Sequence, residues 1–264
     1  MTILNITPDS FYSASRTCEL PLIERRVRES LDAGCDIIDV GGYSSRPGAG
    51  DVDVEEEWQR VRMGLSVVRD ISKSVILSVD TFRAKVAERA IEEFGDVIIN
   101  DISAGNIDPD MISVAARYDV PYVAMHMRGV PSSMQQMTQY EDIVEEVVEF
   151  FDHKIHSLRS AGLRKENIIL DAGFGFAKTL EQNYELLAGM HRLSEMGYRV
   201  LAGVSRKSMI YKLLGVQAEE ALNGTTALNW ECLRQGASIL RVHDTRQAVE
   251  IIKLYEAFER GAKK

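Results

Sequence analysis

Eight short apolar runs, rich in β-branched residues, recur along this chain at an average spacing of roughly 34 residues, the length of a strand plus its returning helix. They cover residues 3–6, 37–40, 75–79, 97–99, 122–125, 168–170, 200–204 and 238–242. Near-continuous rather than alternating apolar character means burial on both faces, hence a parallel sheet covered by helices. The segments between them carry helical periodicity. Trp58, Val61, Leu65 and Val68 repeat at three and four, as do Val86, Ala90, Ile91 and Phe94. So do Ile143, Val144, Val147, Val148, Phe151 and Ile155. Eight βα units in 264 residues fit one (β/α)₈ TIM barrel, class α/β, spanning residues 1–264 as a single domain. A doubly wound open sheet is the competing topology. It would gather its polar site residues at one switch point, whereas here they follow nearly every run.

Those polar residues are the functional signal. Asn5-Ile6-Thr7-Pro8-Asp9-Ser10-Phe11 ends the first run. Gly41-Gly42-Tyr43-Ser44-Ser45-Arg46-Pro47-Gly48 ends the second, Asp80 the third and Asn100-Asp101 the fourth. Asp171 begins Asp-Ala-Gly-Phe-Gly-Phe-Ala-Lys after the sixth, Ser205-Arg206-Lys207-Ser208 follows the seventh, and Arg241-Val242-His243-Asp244 closes the eighth. The carboxyl ends of barrel strands are where this architecture keeps its active site. Carboxylates at several strand ends suit a ligand with several N–H donors. Asp101 competes as a cap for the next helix, and Thr81 serves that purpose beside Asp80. Arg241 and His243, two apart, share a face and suit pyrophosphate. Asn5 offers a neutral oxygen to a hard cation such as Mg²⁺. His126 is a weaker catalytic candidate, and His153 with His156 lacks a third metal ligand.

Bulk properties narrow the class. The net charge of −9 argues against nucleic acid. No apolar run approaches the ~18–20 residues of a membrane span. Cys18, Cys35 and Cys232 are scattered, which reads as reduced thiols in a cytoplasmic protein. Two long loops, 7–20 and 41–54, are rich in small residues and are candidate substrate lids, expected to order when ligand binds.

Taken together and in this order, Asn-x-Thr-Pro-Asp-Ser-Phe, Ser-x-Arg-Pro-Gly, Asn-Asp-Ile, Met-His-Met-Arg-Gly, Asp-x-Gly-Phe-Gly-Phe-x-Lys, Ser-Arg-Lys-Ser and Arg-x-His-Asp resemble the dihydropteroate synthase family of folate biosynthesis. The resemblance implies a transferase that joins 4-aminobenzoate to 6-hydroxymethyl-7,8-dihydropterin diphosphate. It implies a pterin pocket of Asp80, Asn100, Ile102, Met125, Asp171 and Lys207. Diphosphate would meet Asn5, Ser45, Arg46, Arg241 and His243, with Mg²⁺ on Asn5. Aminobenzoate would meet Phe11, Arg46, Pro47, Phe176, Lys207 and Ser208. Lys207, Arg241, His243 and Asp171 would carry the chemistry. A homodimer and sensitivity to sulfonamides are further implications. Against the family pattern, Ser45 stands where Thr is common, Tyr43 where Glu is frequent and Ala172 where Pro is usual. The family's amino-terminal hairpin is expected to be missing. A methyltetrahydrofolate methyltransferase would not need Ser-Arg-Pro-Gly or Ser-Arg-Lys-Ser. A pterin-binding paralogue without synthase activity should show damage in the diphosphate or aminobenzoate residues, and none is visible.

Overall fold

The structure is a computed structural model; it describes residues 1–6, 16–43 and 52–262, with residues 16–19 as backbone only. Strands and helices alternate along it: β1 (Thr2–Asn5), α1 (Arg16–Asp32), β2 (Ile37–Gly41), α2 (Val54–Ile71), β3 (Ile76–Asp80), α3 (Ala84–Phe94), β4 (Val97–Asp101), α4 (Asp110–Tyr118), β5 (Tyr122–Met125), α5 (Ile143–Ser160), β6 (Ile168–Asp171), α6 (Leu180–Ala188), α7 (His191–Glu195), β7 (Arg199–Ala202), α8 (Ser208–Leu214), α9 (Leu222–Arg234), β8 (Ile239–Leu240) and α10 (Thr245–Ala262). All eight strands are parallel and pair in sequence order. The ring closes where a parallel bridge joins Thr2 to Val242. Ile3 N–H donates to the Val242 carbonyl, and Val242 N–H to the Met1 carbonyl, both at 3.0 Å. The open-sheet alternative is thereby excluded.

Helix ends follow local chemistry. Asp53 caps α2 by accepting from Glu56 N–H at 2.8 Å, and Glu55, Glu56 and Glu57 fill its first turn, where the helix dipole favours negative charge. Thr179 and Gln182 form a reciprocal capping box at α6. The apolar faces expected from periodicity are buried. Trp58, Val61, Leu65 and Val68 pack with Leu4, Ile38, Val40, Leu77 and Val79. Ile143, Val147 and Phe151 pack with Ile99, Tyr122, Ala124 and Leu170.

Alternation along each strand sends the remaining side chains into the barrel. Its floor is dry: Ile37, Ile98, Val123, Ile169 and Leu201, with Met1 and Ile239 against them. Two residues further along the strands the interior becomes polar, with Asp39, Asn100, Asp171 and Arg241. Pairing fixes the height of the uppermost group. Asn5 pairs with Gly41, Gly41 with Asp80, and Asp80 with Asn100. On the other side Met125 pairs with Asp171. The sequence thus builds one rim of polar residues on an apolar plug.

Candidate active site

Arg241 is the hub of this rim. Its Nε donates to Asp39 Oδ2 at 2.7 Å and its Nη2 to Asp80 Oδ2 at 2.6 Å. Asp39 is fully buried and also accepts from Ser78 Oγ at 2.5 Å and Asn100 Nδ2 at 3.0 Å. One carboxylate therefore orients residues from β3 and β4 and the residue that follows β8. Asp80 is pushed up to about 7 by burial, against the pull of Arg241 and with the push of Asp39. Burial works against the Arg241 charge, but the carboxylates around it win and hold its proton more tightly than usual.

Asp171 is buried, and its Oδ1 accepts from Gly173 N–H at 2.8 Å. Desolvation raises its carboxyl above the usual range, partly offset by Lys207 and the Gly173 amide. Lys207 sits at the start of α8; its Nζ donates to the Phe174 carbonyl and lies 4.9 Å from the centre of the Phe176 ring. Burial lowers its pKa to about 8, with Asp171 opposing and Arg241 adding to the fall. Ser208 is the first residue of α8. Ile102 and Met125 form an apolar wall with Met127, Met134 and Ala177, and Phe176 packs on it. His243 Nδ1 lies 3.0 Å from Ser205 Oγ. Burial first, then the Arg241 charge, brings its pKa down to about 4.

The structure thus brings Asp80, Asn100, Arg241 and Asp39 into one bonded cluster, and Lys207, Phe176 and Asp171 into a second joined to it by charge. Phe11, Ser45, Arg46 and Pro47, and most of both candidate lids, lie outside the described residues. Within them, the first loop ends earlier than expected, because α1 starts at Arg16. Asp101 is a correction. It caps no helix, since α4 begins at Asp110 after Pro109. Instead it accepts from Ser103 N–H and Oγ at 2.8 Å and from Gly105 N–H and Tyr122 OH at 2.7 Å, which shapes the turn after β4. Arg206 clamps Asp244 through two bonds of 2.9 and 2.8 Å, tying the β7 loop to the β8 loop. His126 is buried in a structural bond described below.

A family model described as pterin binding enzyme matches residues 1–243. Dihydropteroate synthase of Escherichia coli is 42% identical over 259 residues, covering 97% of this chain and 90% of that one. The chain belongs to the dihydropteroate synthase family. A solved dihydropteroate synthase from Clostridium difficile, obtained in the presence of pteroic acid, superposes with a TM-score of 0.91 at 37% identity over 98% of this chain and 95% of its own. That of Xanthomonas albilineans with 4-aminobenzoic acid gives 0.89 at 36%, over 98% of this chain and 92% of its own.

Three residues of the chain carry structural roles that the sequence did not reveal. Asp39 interrupts the second apolar run, and a carboxylate inside a buried strand was the available signal. Glu57 is fully buried on α2 and accepts from Thr81 Oγ1 at 2.6 Å and Arg83 Nη1 at 2.7 Å, which pins the end of β3. Lys178 closes the Phe-Gly-Phe-Ala-Lys motif and is 4% exposed. Its Nζ donates to the Gly173 and Phe176 carbonyls at 2.9 Å and meets His126 Nδ1 at 3.0 Å. Burial, then the Lys207 charge, lowers its pKa well below the usual lysine range. The loop it holds is tightly wound. Gly173 has φ +68°, and a Cβ there would come within 2.0 Å of the His126 carbonyl oxygen, so only glycine fits.

Lys178→Met removes a donor shared by three acceptors, two of them buried. An unpaired buried acceptor costs about 1–3 kcal/mol, and losing a desolvated amine returns part of that. The variant should unfold roughly 2–4 kcal/mol more easily in a urea titration. A midpoint equal to wild type would show that the β6–α6 loop holds its shape without the lysine.

Proposed function

We propose that this chain condenses 6-hydroxymethyl-7,8-dihydropterin diphosphate with 4-aminobenzoate, releasing pyrophosphate and giving 7,8-dihydropteroate, at the rim centred on Arg241. The observation that carries the assignment is the opposition of two surfaces. Asp80, Asn100 and Asp171 present acceptors and an amide to the N–H edge of a flat heterocycle. Ile102, Met125 and Phe176 present an apolar wall to its face. Lys207 meets the pterin carbonyl and borders the aminobenzoate side, with Phe176 and Ser208. The synthase homologues favour this over a pterin-binding paralogue that has lost catalysis.

The bond formed joins the aniline nitrogen to the pterin methylene; the bond broken is methylene carbon to diphosphate oxygen, and the oxygen keeps the electron pair. The aniline then loses one proton to solvent. The nucleophile is neutral and needs no strong base, so the barrier lies in departure of a highly charged group. Arg241 and His243 are the residues at hand for its oxygens. Arg241 has Nη1 without a partner among the described residues. Asp171, with one oxygen bonded to Gly173, keeps the other for the pterin ring, whose developing positive charge it would stabilise.

Mg²⁺ belongs to the same proposal, with Asn5 at the end of β1 as its protein ligand. Gly41 leaves a gap in which a Cβ would stand 3.4 Å from Asn5 Oδ1 and 3.5 Å from Asp80 Oδ2, a small space bordered by hard oxygens. Among the described residues no cluster of three His, Cys, Asp or Glu side chains forms a metal cage. Asn5 would therefore hold Mg²⁺ together with substrate phosphate, and the ion would neutralise charge on the leaving group. A homodimer and a cytoplasmic location belong to the same proposal. Leu213 and Leu214 on α8, and Leu254 and Phe258 on α10, are exposed large apolar side chains available to a second copy. Cys35 and Cys232 are free, and no helix among the described residues is long and apolar enough to cross a membrane.

A coupled assay for pyrophosphate release tests the reading. Release should require both substrates, and the pH profile should report Lys207. Its pKa is depressed to about 8, so the ammonium is lost as pH rises through that value. We expect kcat/KM for the pterin substrate to fall about tenfold per pH unit above pH 8, the limit for one essential proton. The fall should move to higher pH in Lys207→Arg. Pyrophosphate release without 4-aminobenzoate, or none at all, would refute the synthase reading; a flat profile to pH 10 would remove Lys207 from it.

A further inference from the structure

Ser205 follows the apolar run that contains β7 and meets His243 twice. Its Oγ accepts the His243 backbone N–H at 3.1 Å and lies 3.0 Å from Nδ1 of the same residue. Ser205 is 4% exposed. A serine hydroxyl has one hydrogen and two acceptor lone pairs. The amide occupies one lone pair. Were the other to accept an Nδ1–H, the hydroxyl hydrogen would be buried with nothing to bond, because no other acceptor meets it among the described residues. A buried donor left unpaired is strongly disfavoured. The hydroxyl therefore donates to Nδ1, and the neutral ring carries its proton on Nε2. That nitrogen has no partner among the described residues, and the residue remains partly exposed.

We propose that Ser205 is a positioning residue that fixes His243 as the Nε2–H tautomer, so that the neutral ring offers an N–H donor to the diphosphate oxygens. This deepens the proposed diphosphate site and rests on that reading. The other tautomer would present a lone pair to an anion. Burial and the nearby guanidinium of Arg241 keep the ring uncharged near neutral pH, so donor capacity there depends on the tautomer rather than on protonation. The serine reaches this role through backbone geometry, since the same oxygen that sets the tautomer also fixes where the His243 amide sits.

Nitrogen-15 NMR of the imidazole side chains at neutral pH decides it, with the His243 signal identified by its loss in His243→Gln from among the five histidines. In the substrate-free wild type, Nε2 should be protonated and Nδ1 bare. Ser205→Ala should show a mixture of tautomers and a KM for the pterin diphosphate raised about tenfold, the loss of one oriented bond. Its KM for 4-aminobenzoate should stay within about twofold. Ser205→Thr, which keeps the hydroxyl, should restore the tautomer and the pterin KM. A wild-type ring protonated on Nδ1 would overturn the proposal whether or not any variant folds, as would a single unchanged tautomer in Ser205→Ala. An unchanged pterin KM in His243→Gln would overturn the diphosphate reading instead, and the two failures are separable because the tautomer is read without substrate.

Discussion

Asp39→Ala should destabilise the barrel by about 3–5 kcal/mol and abolish turnover. Asp39 is the fully buried acceptor for Arg241, Asn100 and Ser78. Its removal leaves a half-buried guanidinium with Asp80 as its remaining carboxylate, and an amide and a hydroxyl that have lost their acceptor. Breaking a buried charge pair from one side is much more costly than the pair itself is stabilising, because the surviving charge stays desolvated. Arg241 would also settle wholly on Asp80, the carboxylate proposed for the pterin edge. Asp39→Asn separates the two effects. It keeps the volume and one acceptor oxygen but loses the charge, so it should recover part of the stability and little of the turnover. Urea titration and the pyrophosphate assay read the two quantities side by side. A wild-type urea midpoint for Asp39→Ala would show that the hub is ornamental.

The second large effect is expected at Asp171. Its Oδ1 is already engaged by the Gly173 amide, so the other oxygen is the one free to face a ligand. Asp171→Asn can keep its carbonyl oxygen on Gly173, which forces its N–H₂ toward the pterin's own N–H groups. A charge-assisted bond worth about 1.5–3 kcal/mol is then exchanged for a donor–donor contact costing about 1–3 more. Pterin affinity should drop by roughly 10²-fold or more, since about 1.4 kcal/mol is tenfold. Pyrophosphate should bind nearly as before, because Arg241 and His243 are untouched. Burial raises the Asp171 carboxyl, so the wild type should itself lose pterin affinity on acidification before an ordinary aspartate would be protonated. Calorimetric titration of each ligand into the variant decides between the outcomes. Equal loss for both would mean that the rim had collapsed, and no loss for pterin would exclude Asp171 from the pocket.

Much of this architecture was legible because burial on both faces writes continuous apolar runs. Each expected strand overlaps an observed one, and the runs at 122–125 and 97–99 match β5 and the body of β4. The last run was read too long: β8 spans Ile239–Leu240, and the ring closes through Val242 by a single bridge. Rim residues were legible for a related reason. A polar side chain at or just past the end of an apolar run has few structural uses, so Asp80, Asn100, Asp171, Lys207 and Arg241 stood out. Asp39 and Lys178 did not, because a buried ion is intelligible through its partners alone. Those of Asp39 come from β3, β4 and the residue that follows β8, and Lys178 needs His126 from β5's end. Asp101 shows the converse. Its spacing suited a cap, but four donors converge on it from one turn and from Tyr122 on the neighbouring strand.

The pairing of Asn5, Gly41, Asp80 and Asn100 across four strands has a consequence for how such a protein can change. These residues hold their height through backbone rungs, so the unit of tolerated variation is the loop, and an insertion or deletion within a strand is read by the whole rim. One residue lost inside β3 would turn Asp80 out of the barrel and into the helices around Leu77 and Val79. Two residues lost would turn it back inward, but about 6.6 Å lower, towards the dry floor of Ile37, Ile98 and Val123. Libraries that vary the length of β1 to β4 should therefore yield almost no active clones.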